Sequence, residues 1–189
     1  MKINIITLGC SKNLVDSEHL AGILKTNGHE VLFDSTKKKF EVAIINTCGF
    51  IGDAKEESID VILEYIEEKK KGNIGKIIVF GCLVERYKET LEEEFEEVDA
   101  FFGVNNYLDI ATYLNAKIEN DYFLQRQPST PKHFAYLKIS EGCDRFCSFC
   151  AIPYIRGRHI SIPIEELVEE AKCLAKRGVK EIIIIAQDT

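Results

Sequence analysis

KINIITLGCSKNLVDSEHLAGILKTNG, residues 2–28, holds one complete step from strand to helix. The β-branched run INIITL (3–8) ends at Gly9-Cys10. From about Leu14 to Asn27, Leu14, Leu20, Ile23 and Leu24 then share a helical face that Gly28 terminates. The same step recurs downstream. VAIINT (42–47) ends at Cys48-Gly49, and a helix over 53–71 follows with Ile59, Ile62, Leu63 and Ile66 on one buried stripe. KIIVF (76–80) ends at Gly81-Cys82 before an acid-rich helix over about 84–97. EVLF (30–33), AFFGV (100–104) and a short helix over 107–115 complete the pattern. Strands alternating with helices predict a parallel sheet covered on both faces, the doubly wound α/β class.

Periodicity lapses over 118–133, where QRQPSTPKH carries two prolines, and this stretch reads as a linker. A second pattern then begins: the strand FAYLKI (134–139), a cysteine-rich loop, a helix opened by Pro163 and closed by Gly178, and the strand KEIIIIA (180–186). The expected organisation is therefore a front domain at 1–117, a linker at 118–133 and one strand–helix–strand unit at 134–189. The lysine run at 37–39 reads as a solvated turn, and no internal repeat is visible.

Of the 189 residues, 46% are hydrophobic, enough to bury a core, and the formal net charge is −7. All of that excess lies before Phe134. An acidic front half disfavours non-specific binding to polyanions and suits a basic partner. No apolar run approaches the ~20 residues of a membrane helix, and the N-terminus leads straight into a strand, so a cytoplasmic protein without membrane contact is expected. Seven cysteines, an odd number, in a reducing compartment argue for thiols available to metal rather than for disulfides.

Cys10, Cys48 and Cys82 each follow the end of a strand run beside a glycine. In a parallel sheet such strand ends share one edge, where ligands bind, so three thiols far apart in sequence are predicted to meet there. Cys143, Cys147 and Cys150 form C-x3-C-x2-C on one loop. Three thiolates on a four-iron cluster leave one iron open, whereas zinc would need a fourth protein ligand, with His133 and His159 the candidates. Cys173 reads as core, and RGRH (156–159) as a solvated basic loop.

With Phe149 before its last cysteine, the C-x3-C-x2-C loop resembles the signature of the radical S-adenosylmethionine enzymes. The resemblance implies a 4Fe-4S cluster on Cys143, Cys147 and Cys150. S-adenosylmethionine would chelate the open iron and be cleaved to a 5′-deoxyadenosyl radical, with Phe149 near the adenine. Together with the upstream trio, the resemblance narrows to the methylthiotransferase family and covers essentially the whole chain. It then implies a second 4Fe-4S cluster on Cys10, Cys48 and Cys82, where methylated sulfur is assembled. It also implies a flavodoxin-like front domain and the start of a partial TIM-type barrel, together with an electron donor and a sulfur source as partners.

Within that family, TLGCSKNLVDSEHLAG, YLKISEGCDRFCSFCAIPYIRGRHIS and IIIIAQDT resemble the branch that modifies the β-carbon of an aspartate on small-subunit ribosomal protein S twelve. The alternatives are the branch that thiomethylates a transfer-RNA adenosine, and a zinc-stabilised binding module without catalysis. Where the family usually has Ser-Arg-Pro, this chain has Ser161-Ile162-Pro163. Only the first strand–helix–strand unit of the family's barrel is present, so a fragment of a longer enzyme, inactive alone, is expected.

Overall fold

The computed structural model describes residues 1–36 and 39–189, so most of the lysine run at 37–39 lies outside the described residues. Strands β1 (Lys2–Thr7), β2 (Glu30–Phe33), β3 (Phe40–Thr47), β4 (Ile74–Gly81) and β5 (Ala100–Phe102) form a parallel sheet in the order β2-β1-β3-β4-β5. That order is the flavodoxin-like one, whose direction of winding reverses between β1 and β3. Helices α1 (Ser11–Thr26) and α4 (Tyr107–Tyr113) cover one face, and α2 (Gly52–Lys70) and α3 (Cys82–Glu94) the other.

Two-residue alternation along the strands builds both cores. Ile44, Ile78 and Phe80 pack with Leu20, Ile23 and Leu24 of α1 and Ile110 of α4, whereas Ile45, Ile77 and Val79 pack with Ile62 and Ile66 of α2 and Val84 of α3. A central strand buried on both faces reads as a continuous apolar run, which is why VAIINT and KIIVF are so uniformly hydrophobic.

The second segment contains β6 (Phe134–Lys138), a two-residue ribbon pairing β7 (Ser140–Glu141) with β8 (Ile160–Ser161), the short α5 (Ile152–Ile155), α6 (Ile164–Lys176) and β9 (Glu181–Ile185). β6 and β9 pair in parallel, with α6 as their crossover, as in the opening unit of a barrel. Among the described residues, no helix is long and apolar enough to cross a membrane.

Helix α1 departs from a surface helix. Its polar residues Asn13, Asp16, Ser17, Glu18 and His19 are all buried, because the second segment lies against the side that faces away from the sheet. Residues 118–133 are part of that seam. They form a 3-10 turn (Tyr122–Gln125), and Gly22 of α1 runs so close beneath it that a Cβ there would stand 2.2 Å from the Gln125 carbonyl oxygen.

Next in the chain, Arg126 is 1% exposed. Its Nε and Nη2 donate to Glu18 Oε2 at 2.9 and 2.6 Å, and its Nη1 donates to Glu170 Oε1 at 2.7 Å and to the Tyr136 carbonyl at 2.6 Å. Glu18 Oε1 accepts from the Ser129 amide and hydroxyl at 2.6 and 2.8 Å. A buried charge is tolerated only when it is paired and hydrogen-bonded, and this one is both.

His19 sits beside that network, its ring stacked on Tyr107 and its Nε2 3.6 Å from Glu170 Oε1. Burial, and then the charges of Arg126 and Lys138, lower its pKa from 6.5 to about 3, against a smaller opposite effect of Asp16. The unfolded chain therefore binds a proton that the folded one refuses, so stability falls as pH drops below 6.5. Replacing His19 by Gln is expected to remove about 2 kcal/mol of the stability difference between pH 7 and pH 5, read from urea midpoints. Equal slopes for the two proteins would show that His19 takes up its proton in the folded state.

Candidate metal centres

The carboxyl edge of the five-stranded sheet carries the first trio. Cys10 caps the N-terminus of α1 just past β1, Cys48 follows β3, and Cys82 is the first residue of α3 after β4. Cys10 and Cys48 thus stand on either side of the point where the sheet reverses its winding, where folds of this order bind ligands. All three line one cavity of ≈ 410 Å³, whose other walls include Ile51, Ile155, Arg156 and Gln187. Cys10 is exposed, Cys48 half-buried and Cys82 buried. Burial raises the pKa of the Cys82 thiol, and the Arg156 guanidinium beside it partly offsets the rise.

The glycines beside these cysteines have a use different from close approach to a ligand. They let the cysteine loops approach one another. A Cβ on Gly9 would stand 2.7 Å from Cys48 Cβ, and one on Gly49 would stand 2.6 Å from the Cys82 carbonyl oxygen and 2.7 Å from the backbone of Leu83. Hydrogen bonds hold the interlock. Asn13 Nδ2 donates to the Leu8 and Thr47 carbonyls at 2.9 and 3.1 Å, Ser58 Oγ donates to the Cys48 carbonyl at 3.1 Å, and Arg86 Nη1 donates to the Gly49 carbonyl at 2.7 Å.

The second trio lies on the loop between β7 and α5. Gly142 (φ 75°) turns the chain there, and the Cys143 amide donates to the Gly157 carbonyl at 3.1 Å, closing the loop at its base. Cys143 and Cys150 are half-buried and Cys147 is exposed. Cys143 Sγ is 3.6 Å from Asp188 Oδ2, and Asp188 is paired with Arg145 at 2.8 Å. Phe149 is 91% exposed on the outside of the loop. His133 precedes β6 whereas the loop follows it, so the length of that strand, about 3.3 Å per residue, separates this histidine from the thiols. His159 stays near the loop, its amide donating to Asp144 Oδ1 at 3.3 Å. Cys173 is half-buried, with its thiol directed at the Leu124 carbonyl.

Among the described residues, no three His, Cys, Asp or Glu side chains are gathered tightly enough to hold a single metal ion. The first trio instead surrounds a space, as ligands of a polynuclear cluster must, and an all-thiol donor set is the one iron–sulfur clusters take.

The segment that follows the second trio forms part of the wall around the first. Loop residue Cys150 leads directly into α5, which packs on α3, and Ile152, Ile155 and Arg156 reach the cavity of the first trio. Arg156 corrects the expectation of a solvated RGRH loop, for it is 5% exposed. Its Nη1 donates to Asp16 Oδ2 and Glu141 Oε2, both at 3.2 Å, and its Nη2 donates to Asn13 Oδ1. Lys138 Nζ donates to the same two carboxylates, at 2.8 Å to Glu141. Burial disfavours the Asp16 carboxylate, but the Lys138 and Arg156 charges outweigh it and hold its pKa below the usual range. These buried charges were legible only as ordinary polar positions, because pairing between segments more than a hundred residues apart leaves no local pattern.

Residues 2–103 match the family model described as uncharacterized protein family UPF0004, and residues 137–189 match that of the radical SAM superfamily. The chain belongs to the first of these families. Its relatives include the ribosomal protein uS12 methylthiotransferase RimO of Phocaeicola vulgatus, 55% identical over 98% of this chain and 43% of that protein. RimO of Cytophaga hutchinsonii is 54% identical over 99% of this chain and 43% of that protein. The chain thus spans less than half the length of these curated relatives. Among solved structures, the radical S-adenosylmethionine methyltransferase TsrM of Kitasatospora setae, with cobalamin and a [4Fe-4S] cluster bound, superposes with a TM-score of 0.61. At 12% identity over 98% of this chain and 47% of that one, the likeness is one of fold.

Proposed function

We propose that this chain is the cluster-bearing part of a radical methylthiotransferase that adds a methylthio group to the β-carbon of an aspartate in ribosomal protein uS12. The observation that carries the reading is that the segment directly after the second cysteine trio, Ile152 to Arg156, walls the cavity of the first, which supports a sulfur-accepting centre working beside a radical-generating one. Residues 1–117 would hold one 4Fe-4S cluster on Cys10, Cys48 and Cys82, with 118–133 as the connection. Residues 134–189 would begin the radical domain and hold the other cluster on Cys143, Cys147 and Cys150. Bound there, the second cluster and S-adenosylmethionine would supply the electron and the radical chemistry that opens an unactivated C–H bond.

The chain's own side chains do the positioning. Gly142 and the Cys143–Gly157 bond shape the loop, and the Arg145–Asp188 pair fixes its outer turn. Phe149, exposed on the outside of the loop, would flank the adenine. Substrate choice follows the names of the relatives and the acidic front half, which suits a basic ribosomal protein. The electron donor and the sulfur source act on the same cytoplasmic protein.

Anaerobic purification followed by iron, sulfide and zinc analysis tests the reading. Wild type is expected to carry two clusters and a Cys143, Cys147, Cys150→Ala variant half as much iron. Zinc that disappears in the variant, with no iron taken up on reconstitution, would replace the radical reading by a structural zinc site. For the substrate, protein carried to the length of the relatives is offered uS12 and transfer RNA side by side, and methylthiolation of the RNA alone would reject the ribosomal assignment.

A further inference from the structure

We propose that Arg156 is a positioning residue of the Cys10, Cys48 and Cys82 centre, reaching it from the segment that carries the other cysteine loop. The inference rests on the reading that this trio holds an iron–sulfur cluster. Its basis is the set of partners around one guanidinium. Asp16, Glu141 and Asn13 anchor Arg156 on three sides, and its guanidinium lines the same cavity as the three thiols, where Cys82 Sγ shares the Asn13 Oδ1 acceptor with it at 3.9 Å. The anchors are themselves fixed: Lys138 bridges the two carboxylates, Gln187 donates to Glu141, and Asn13 is tied to the loops after β1 and β3.

A planar fork with five donors can satisfy two acids and an amide at once and hold its charge at a fixed place on the cavity wall, whereas a lysine ammonium on a flexible stem holds no such fixed geometry. The charges around it also balance: Asp16 and Glu141 oppose Lys138 and Arg156, so removing Arg156 leaves a net negative charge beside three thiolates. Nearby positive charge favours the more negative, reduced form of a cluster and raises its potential. Arg156 therefore couples the two segments: the loop segment must be docked for the first centre to have its full set of partners.

The test uses the protein lacking the second trio (Cys143, Cys147, Cys150→Ala), so that only the first centre contributes signal. Its midpoint potential, its electron paramagnetic resonance spectrum when reduced, and its rate of iron loss to a chelator are compared for Arg156, Arg156→Gln and Arg156→Lys. Gln is expected to give a more negative potential and faster iron loss. Lys is expected to keep the carboxylate pairing and the fold yet still shift the potential and the spectrum, because the second arm of the fork, which holds Asn13 Oδ1 beside Cys82, is gone. A residue that only closes the seam would leave the Lys variant identical to wild type, and that result overturns the proposal even if the Gln variant does not fold. Absence of iron from the first trio in the parent protein would overturn the cluster reading itself, an outcome distinct from a cluster that is present but indifferent to Arg156.

Discussion

Replacing Arg126 by alanine is expected to destabilise the protein by about 3–5 kcal/mol, the usual result of removing one partner from a buried ion pair. Glu18 and Glu170 would be left as facing carboxylates, 0% and 6% exposed, with the Tyr136 carbonyl also losing a donor. With a urea m-value of about 1–3 kcal/mol per M, the midpoint should fall by roughly 1 M or more. A companion variant separates the pair's net worth from the penalty of breaking it. Arg126→Met combined with Glu18→Leu and Glu170→Leu removes every unpaired charge, and by the same reasoning should recover much of the loss. Recovery should stop short of complete, because Ser129 then loses the Glu18 oxygen that receives its amide and hydroxyl. A midpoint unmoved by Arg126→Ala would mean that water reaches this site.

Gly49→Ala is expected to abolish iron binding by the first trio while the sheet stays folded. The added methyl would meet the Cys82 carbonyl oxygen at 2.6 Å and the Leu83 amide nitrogen and Cα at 2.7 Å. All three are backbone atoms, so no rotamer change relieves the contact and the loops must part. Overpacking of this kind costs about 1–3 kcal/mol, which a domain with two full cores can absorb, whereas a displaced thiol cannot bind. Gly52→Ala, three residues on, meets nothing within 4 Å and serves as the matched control. Iron measured in the background without the second trio should fall to near zero for Gly49→Ala and stay at the parent level for Gly52→Ala. Equal iron in both would show that the loops have room that the geometry denies them.

Much of the front half is legible in the sequence. Each apolar run with its following helix was visible because burial on both faces leaves uninterrupted Ile and Val, and because the helices carry one stripe each. The meeting of Cys10, Cys48 and Cys82 followed from topology alone, since parallel strands bring their carboxyl ends to one edge. The seam was not legible. Residues 118–133 lack periodicity and read as a tether, yet Arg126 there is among the most buried side chains. An arginine in a Pro-rich stretch looks the same in sequence whether it is solvated or paired with two glutamates from distant helices. Arg156 was misread for the same reason. The two-residue β7–β8 ribbon and the four-residue α5 are too short for any hydrophobic period to register.

A helix buried on both sides makes the front sheet a poor module for transplantation. Fused to a foreign domain that covers the same face, it would bury Asp16, Glu18 and His19 of α1 without their partners, together with Asn13, whose amide braces the cysteine loops. A host would have to supply two arginines and a lysine at matching positions, as Arg126, Arg156 and Lys138 do here. Chimeras that exchange the front domain between relatives should therefore tolerate almost any change in the outward faces of α2 and α3, and fail on single mismatches along α1.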